Sequence, residues 1–417
     1  MSDREFTGFD VDTVADAVRQ PPLDDLWAAA RARRRRRAGG VALALVVAFA
    51  SMAALPLAAG TRGVDWAGPD QPPVRQDRGG QLFITGPDSG VLVQVRDDGC
   101  GRVLFTHTED GGRSWSDYDA ARYDSTRCGK DAEGNPFGFP DFSVLGQRSY
   151  LVRDGDRLQL STDYGRTWRE AEQAMVTVAA FPEKARPVFC QRSCGALREP
   201  VAVDPATGTV YRLDGRPPVP YPPSSIYPAA DGTIWMTYWP GELNGSMVVA
   251  RSTDRGATWN TWRPAVGADV IAVTGVSDRE AYLLIAPPPP PGAQPMRVEG
   301  TSQLLRTTDG GRTWVDVGTD LPNSLEMRSL VVGSDGSLLL AESGHMQMAS
   351  SRSKALVSRD AGRHFTTARE YDRLDGAAGG APGYVWLYGR DDMTVLGADH
   401  VQLTTDGRDW TRFRLSD

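Results

Sequence analysis

The chain has 417 residues, with 46 Lys+Arg against 53 Asp+Glu, 40% hydrophobic residues, 45 Gly and 29 Pro. It is too apolar for a disordered chain and too aperiodic in Gly for collagen, and its four Cys are too few for a disulfide-dominated scaffold. A formal net charge of −7 argues against a nucleic-acid binder, which needs a basic face that releases counterions from phosphates.

Residues 1–37 carry eight Arg and seven acidic residues. Val11, Val14, Ala15 and Val18 recur at helical spacing, as do Leu23, Leu26, Trp27 and Ala30 after Pro21-Pro22. So short a segment cannot bury enough surface to fold alone; its apolar stripes either lie on the membrane or dock a cytosolic partner. Next, Gly39 to Ala59 reads GGVALALVVAFASMAALPLAA, 21 residues without a charge. At ~1.5 Å rise per residue, a helix of that length crosses a ~30 Å hydrocarbon layer. Residues 38–60 are therefore expected to form one transmembrane helix in the lipid bilayer. Arg31 and Arg33 to Arg37 precede it and only Arg62 flanks its other end, which places the amino terminus in the cytoplasm and the rest outside the cell membrane. The alternative is a cleaved signal peptide, imitated by Leu57-Ala58-Ala59 but opposed by the length of the leader. The arginine run pins topology and attracts anionic head groups. Residues 61–79, rich in Gly, Pro, Asp and Gln, read as a tether.

Cys100, Cys128, Cys190 and Cys194 all fall on the external side. An even count in an oxidising compartment reads as two disulfides, most simply Cys100 to Cys128 and Cys190 to Cys194, with the other connectivities open. The chain has four His, none beside a Cys, which disfavours a zinc site; no metal and no cofactor is expected.

From residue 108 onward one eight-residue pattern recurs: Thr108-Glu-Asp-Gly-Gly-Arg-Ser-Trp115, Ser161-Thr-Asp-Tyr-Gly-Arg-Thr-Trp168, Ser252-Thr-Asp-Arg-Gly-Ala-Thr-Trp259 and Thr307-Thr-Asp-Gly-Gly-Arg-Thr-Trp314. Ser358-Arg-Asp-Ala-Gly-Arg-His-Phe365 keeps the frame, and Thr404-Thr-Asp-Gly-Arg-Asp-Trp410 is one residue short. The carboxylates of Asp110, Asp163, Asp254, Asp309, Asp360 and Asp406 can accept bonds from N–H groups of their own turns, and the Gly two places on in the full-length copies permits positive φ. These aspartates are thus expected to staple turns, not to act as catalytic or metal carboxylates. The intervals between them are 53, 91, 55, 51 and 46 residues. In the long gap, Val201-Ala-Val-Asp-Pro-Ala-Thr-Gly-Thr-Val-Tyr-Arg-Leu213 reads as strand, turn and strand, a unit without the motif. Seven units of about 40 to 50 residues suggest an all-β, seven-bladed β-propeller of four-stranded blades over 80–417. The run Ala286 to Pro295 cannot join a ladder and reads as a projecting loop.

The repeat resembles the Asp-box, or BNR repeat, of sialidases, sortilins, some glycoside hydrolases and photosystem assembly factors. That resemblance raises a sialidase-like hydrolase, which would carry an arginine clamp, a Tyr nucleophile paired with Glu, and an acidic general acid. The Phe/Tyr-Arg-Ile/Leu-Pro motif of sialidases is missing from this sequence, and nothing marks one Tyr–Glu pair. The expectation is a non-catalytic scaffold that binds an extracytoplasmic protein or an envelope glycan; a transmembrane sensor coupled to a cytosolic partner of residues 1–37 is a further alternative. Tyr227, Trp235, Tyr238 and Trp239, followed by Glu242, form the densest aromatic cluster. Tyr238 and Trp239, beside Pro240-Gly241, are the expected exposed contacts, with Glu242 as a neighbouring acid. Phe137 and Phe139 offer a second aromatic loop. His107 and His364 read as structural, whereas His345 lies in an expected loop that could face a ligand.

Overall fold

The computed structural model describes residues 80–96, 101–127, 139–191, 194–215, 219–239, 247–263, 269–286, 301–323, 328–343, 352–372, 378–391 and 398–415. The segments 1–37, 38–60 and 61–79 lie outside the described residues, as do Cys100, Cys128, Phe137, Glu242, His345 and the run 287–295. Among the described residues, no helix is long and apolar enough to cross a membrane. Residues Arg75–Asp417 belong to one compact unit.

The described strands form seven four-stranded sheets, arranged as the blades of a β-propeller around a central channel. The strands that line the channel are Gln81–Ile84, Asp141–Val144, Arg186–Pro187, Pro223–Pro228, Asp269–Gly275, Arg328–Val332 and Gly379–Ala381. Second strands such as Ile234–Tyr238 and Leu338–Glu342 are buried along their whole length. Each blade is covered by a neighbour on both faces, so these strands read as near-continuous apolar runs, not as alternation. Outer strands such as Arg169–Glu170 and Val315–Asp316 are exposed. The ring closes by side-chain packing between the first and seventh blades, without strand exchange: Leu82, Ile84 and Leu92 pack with Trp386, Tyr388 and Phe413. Tyr388 Oη accepts a bond from Leu82 N at 3.1 Å, and Trp115 Nε1 donates to Arg414 O at 3.2 Å.

In six blades the third and fourth strands are joined by an aspartate turn. At the first, Asp110 Oδ1 accepts from Ser114 N (2.9 Å) and Thr108 Oγ1 (2.8 Å), while Oδ2 accepts from Ser114 Oγ (2.7 Å). Gly112 N donates to Thr108 Oγ1 at 3.1 Å, which completes the ring. The scheme repeats at Asp163, Asp254, Asp309 and Asp360. The short copy closes one residue earlier, with Asp406 Oδ1 accepting from Arg408 N and Asp409 N. These bonds favour the ionised carboxylate and lower its pKa, to about 2 at Asp110 and Asp309. In the full-length turns the two residues after Asp both adopt positive φ, as in Ala361 (61°) and Gly362 (91°). Among the described residues, every non-glycine with positive φ sits at the first of these two places: Tyr164, Arg255 and Ala361.

The third blade, which lacks the turn, is built differently. Its sheet order places Val176–Val178 at the outer edge, parallel to Val210–Leu213. Its inner segment is reversed: Cys190 pairs antiparallel with Ile226 of the fourth blade, whereas Gly333 and Gly383 of the sixth and seventh blades pair in parallel.

The left-handed pair gives a stability test. Ala361→Gly relieves the Cβ strain of a left-handed residue and should stabilise by roughly 0.5–1 kcal/mol in denaturant unfolding. Gly362→Ala, whose Cβ would lie 2.2 Å from Leu304 Cδ2, should destabilise by about 2 kcal/mol or more. Equal effects at the two positions would show that the turn does not impose the backbone.

At the fifth turn His364 replaces the Ser/Thr, with Nδ1 at 2.6 Å from Asp360 Oδ2. That hydrogen bond and the carboxylate charge raise the imidazole pKa, so the folded state holds the proton more tightly than the unfolded chain. The resulting stabilisation is complete below about pH 6.5 and is lost as pH rises through the raised value. The melting temperature should fall between about pH 6 and pH 8, and His364→Thr should flatten that fall; superimposable profiles would contradict the pairing.

Candidate functional site

The inner strands enclose a cavity of about 1790 Å³. Phe83, Phe142, Phe189, Tyr227, Tyr384 and Trp386 line it, and the hairpins that leave the inner strands form its mouth through Thr85, Gln147, Arg148, Ala230, Gly333 and Gly383. These hairpins are anchored on the aspartate turns, since Gly111 N donates to Asp88 O (2.8 Å), Tyr164 N to Arg148 O (2.9 Å) and Gly310 N to Arg279 O (2.8 Å). The mouth therefore opens at the turn-bearing end.

The connection between Arg186–Pro187 and Val201–Val203 crosses the channel. A disulfide joins Cys190 and Cys194, with Cα atoms 5.2 Å apart. Cys190 exchanges two backbone bonds with Ile226, of 3.0 and 2.8 Å. Gln191 Nε2 reaches across to Val273 O (3.1 Å) and Leu330 O (2.9 Å) of the fifth and sixth blades. Ser143 Oγ of the second blade donates to Cys194 O at 2.7 Å and accepts from Ala196 N at 2.9 Å. Phe189 meets Tyr227 edge-on, ring centroids 5.7 Å apart. This connection thus has partners in the second, fourth, fifth and sixth blades.

The mouth has a mixed polar rim. Arg148 donates to Ala206 O (3.1 Å) and Arg255 to Pro182 O (3.0 Å), and Asp231 accepts from Thr233 N (3.0 Å). Among the described residues, no hydrogen bond or ion pair engages the side chains of Arg186 and Glu183, both of which line the cavity. Burial raises the Tyr384 pKa, and the charge of Arg186 opposes that rise, so the guanidinium from the third blade is felt by a phenol of the seventh.

The candidates read from the sequence do not converge on this site. Tyr238, expected as an exposed contact, is fully buried: the strand Ile234–Tyr238 runs to its last residue before the loop, and the phenol packs between blades with Oη near Met236 Sδ. Trp235 is buried too, its Nε1 donating to Ser277 O at 3.1 Å. Trp239 and Phe139 are exposed, at 49% and 55%, but neither lines the cavity. Glu242 and Phe137 lie outside the described residues. His107 is held by Ser116 Oγ at 2.8 Å and stacks on Tyr164, and burial lowers its pKa. The channel-crossing connection was missed; its one sequence signal was the close spacing of Cys190 and Cys194.

Other titratable groups are engaged structurally. Asp391, Asp399 and His400 bring ligand atoms within 4.8 Å of one another. Arg412 pairs with Asp391 and lies 3.6 Å from Asp399, so a guanidinium occupies the cation position. Tyr282 donates to Glu280 Oε1 at 3.0 Å, and Arg306 pairs with the same carboxylate at 2.8 Å. Burial pushes that phenol up to about 12, the opposite of what an activated nucleophile needs. Tyr123, Tyr150, Tyr227, Tyr238 and Tyr388 shift the same way, burial being the largest cause.

The chain is similar in architecture to a puromycin-hydrolysing peptidase of Mycobacterium tuberculosis, with 14% identity and a TM-score of 0.45 over 81% of this chain and 54% of that one. It is similar to YCF48 bound to D1 peptide, with 16% identity and a TM-score of 0.30 over 80% and 82% of the two chains. For the Trypanosoma rangeli sialidase in complex with 2,3-difluorosialic acid, the values are 13%, 0.36, 81% and 53%. The chain thus spans about half the length of the peptidase and of the sialidase, and no activity is carried over from any of them. The sequence matches no family model and no curated protein.

Removing the side chain that bridges the channel should be costly. Gln191→Leu takes two donor bonds from carbonyls of the fifth and sixth blades and should destabilise by about 1–3 kcal/mol in urea unfolding. An unchanged midpoint would show that Gln191 does not hold the crossing in place.

Proposed function

We propose that the protein is a single-pass membrane protein, amino terminus in the cytoplasm, whose extracytoplasmic propeller acts as a non-catalytic binding or assembly scaffold for a protein or an envelope glycan. The observation that carries this reading is the channel, lined by Arg186 and Glu183, whose side chains have no hydrogen-bond or ion-pair partner among the described residues, while the turn carboxylates accept bonds from their own hairpins. A large concave cavity with a few convergent polar groups is a binding feature. A glycosidase needs two carboxyl groups held for acid and nucleophile or base roles, and the tyrosines with displaced pKa values are pushed away from nucleophilicity. The uncharged segment Gly39 to Ala59 behind an arginine run supports the anchor, and the Asp-box-like repeat suits a propeller used for recognition.

Full-length protein in detergent, incubated with a broad panel of glycosides including sialosides, is expected to give no turnover above buffer. On peptide and glycan arrays it is expected to retain ligands, with affinity reduced at least about ten-fold by Arg186→Glu. Turnover that follows the purified protein would overturn the reading, as would failure to retain any array member.

A further inference from the structure

Within the binding reading above, on which this step rests, we infer that the channel wall formed by Arg186, Tyr384 and Trp386 takes the carboxylate of a small ligand whose body is apolar, such as an aromatic monocarboxylate. Three hydrogen-bond donors stand at this wall with no acceptor among the described residues. Arg186 lines the cavity, and no hydrogen bond or ion pair engages its guanidinium there. Trp386 is 7% exposed, and its buried Nε1 has no partner. Burial and the charge of Arg186 act on the Tyr384 phenol, and no hydrogen bond does.

Strand register brings these groups to one wall. Tyr384 and Trp386 are two residues apart on the strand Tyr384–Gly389, so both point to the same face, where they pack with Ala381 and Tyr388. Trp386 pairs with Gly379 of the inner strand. A Cβ at Gly379 would lie 2.4 Å from Trp386 Cζ2 and 3.1 Å from Nε1. The indole therefore lies across a residue without a side chain, and its N–H reaches the wall of the channel, which Gly379 and Trp386 both line. Arg186 arrives from the reversed inner segment of the third blade. Phe189, three residues further on, packs against the same aromatic cluster, and the charge of Arg186 is felt by Tyr384.

The donor set selects the ligand. A buried N–H without an acceptor carries a desolvation cost that a ligand oxygen removes. A carboxylate accepts about four hydrogen bonds, and a guanidinium fork, a phenol and an indole N–H supply them together; the arginine pairing is also planar and charge-assisted. Burial raises the Tyr384 pKa, which keeps the phenol protonated, and so a donor, at neutral pH. One guanidinium, with the Glu183 carboxylate lining the same cavity, favours a single negative charge over a phosphate dianion. Arg148 and Arg255 at the mouth donate to main-chain carbonyls, which sets Arg186 apart among the cavity's arginines. Phe83, Phe142, Phe189 and Tyr227 supply apolar wall, and a volume of about 1790 Å³ leaves room for an apolar body behind the carboxylate.

Full-length protein in nanodiscs is titrated calorimetrically, against empty nanodiscs, with naphthalene-2-carboxylate, naphthalene-2-carboxamide and 2-naphthyl phosphate. The expected result is saturable binding of the carboxylate, at least about ten-fold tighter than that of the carboxamide or the phosphate. Arg186→Gln should abolish the preference over the carboxamide, and Tyr384→Phe should weaken carboxylate binding about three- to ten-fold. Both variants should keep the wild-type melting temperature, since neither polar group holds a hydrogen bond among the described residues. Equal affinity for the carboxamide, tighter binding of the phosphate, a preference that survives Arg186→Gln, undiminished carboxylate binding in Tyr384→Phe, or no saturable binding would overturn the inference. If Arg186→Gln lowers the melting temperature, the wild-type preference and Tyr384→Phe decide. All of these outcomes leave the scaffold reading in place, which fails instead if the peptide and glycan arrays retain nothing.

Discussion

The propeller depends on a carboxylate that satisfies its own turn. A third-to-fourth strand connection must reverse direction within a few residues, which leaves several N–H groups without ladder partners and forces consecutive residues into left-handed backbone. In the six aspartate turns one side chain answers the first demand; in four of them Oδ1 and Oδ2 receive the main-chain N–H and the hydroxyl four residues on. Glycine answers the second at the later position but not always at the earlier one: Tyr164, Arg255 and Ala361 hold positive φ without it. Persistence of that strain at three separate places means that the surrounding bonds over-determine the backbone.

Each turn also bears on the preceding blade, so the local staple has a global effect. Cβ positions at Gly112, Gly256, Gly362 and Gly407 lie against Arg414, Leu213, Leu304 and Val357 of the blade before. Interblade spacing is thereby fixed at the periphery as well as in the core. The third blade tests this logic by lacking the turn. Without a lock on the third-to-fourth connection, its outer edge is filled by a segment that arrives first in the chain, Val176–Val178 in parallel, and its inner segment runs the other way.

Most of this architecture was legible in the sequence because its causes are local. Asp, Ser/Thr and Gly at fixed offsets encode a turn by side-chain chemistry alone, and their period encodes the blade count. The third blade could be counted, from Val201 to Leu213, but not oriented, because strand order is set by what packs beside it. The site was far less legible. Tyr238 reads as a loop residue from the neighbouring Pro240-Gly241, yet one more residue of strand buries it; the difference lies in where a blade ends, which composition does not encode. The channel itself arises from residues such as Phe83, Arg186, Ala230 and Gly380, which come from four blades and share no local pattern. Gly379 and Gly380 are strand, with Trp386 leaving no room for a side chain at Gly379 and Ser329 and Val331 of the sixth blade close by at Gly380.

The reversed third blade has a consequence for recognition. A propeller of seven equivalent blades leaves an open axial channel; reversal carries the connection after Arg186–Pro187 across the axis, where Cys190 and Gln191 bind blades four, five and six. The mouth is at the end where the turns sit. The hairpins around that mouth hang from the turns by direct main-chain bonds, Gly111 to Asp88 and Tyr164 to Arg148 among them. Binding geometry is best held by rigid elements supported from behind, and here the motif that spaces the blades supplies that support. The hydrogen bonds that lower the pKa values of Asp110 and Asp309 are the same ones that close the turns from which the hairpins hang.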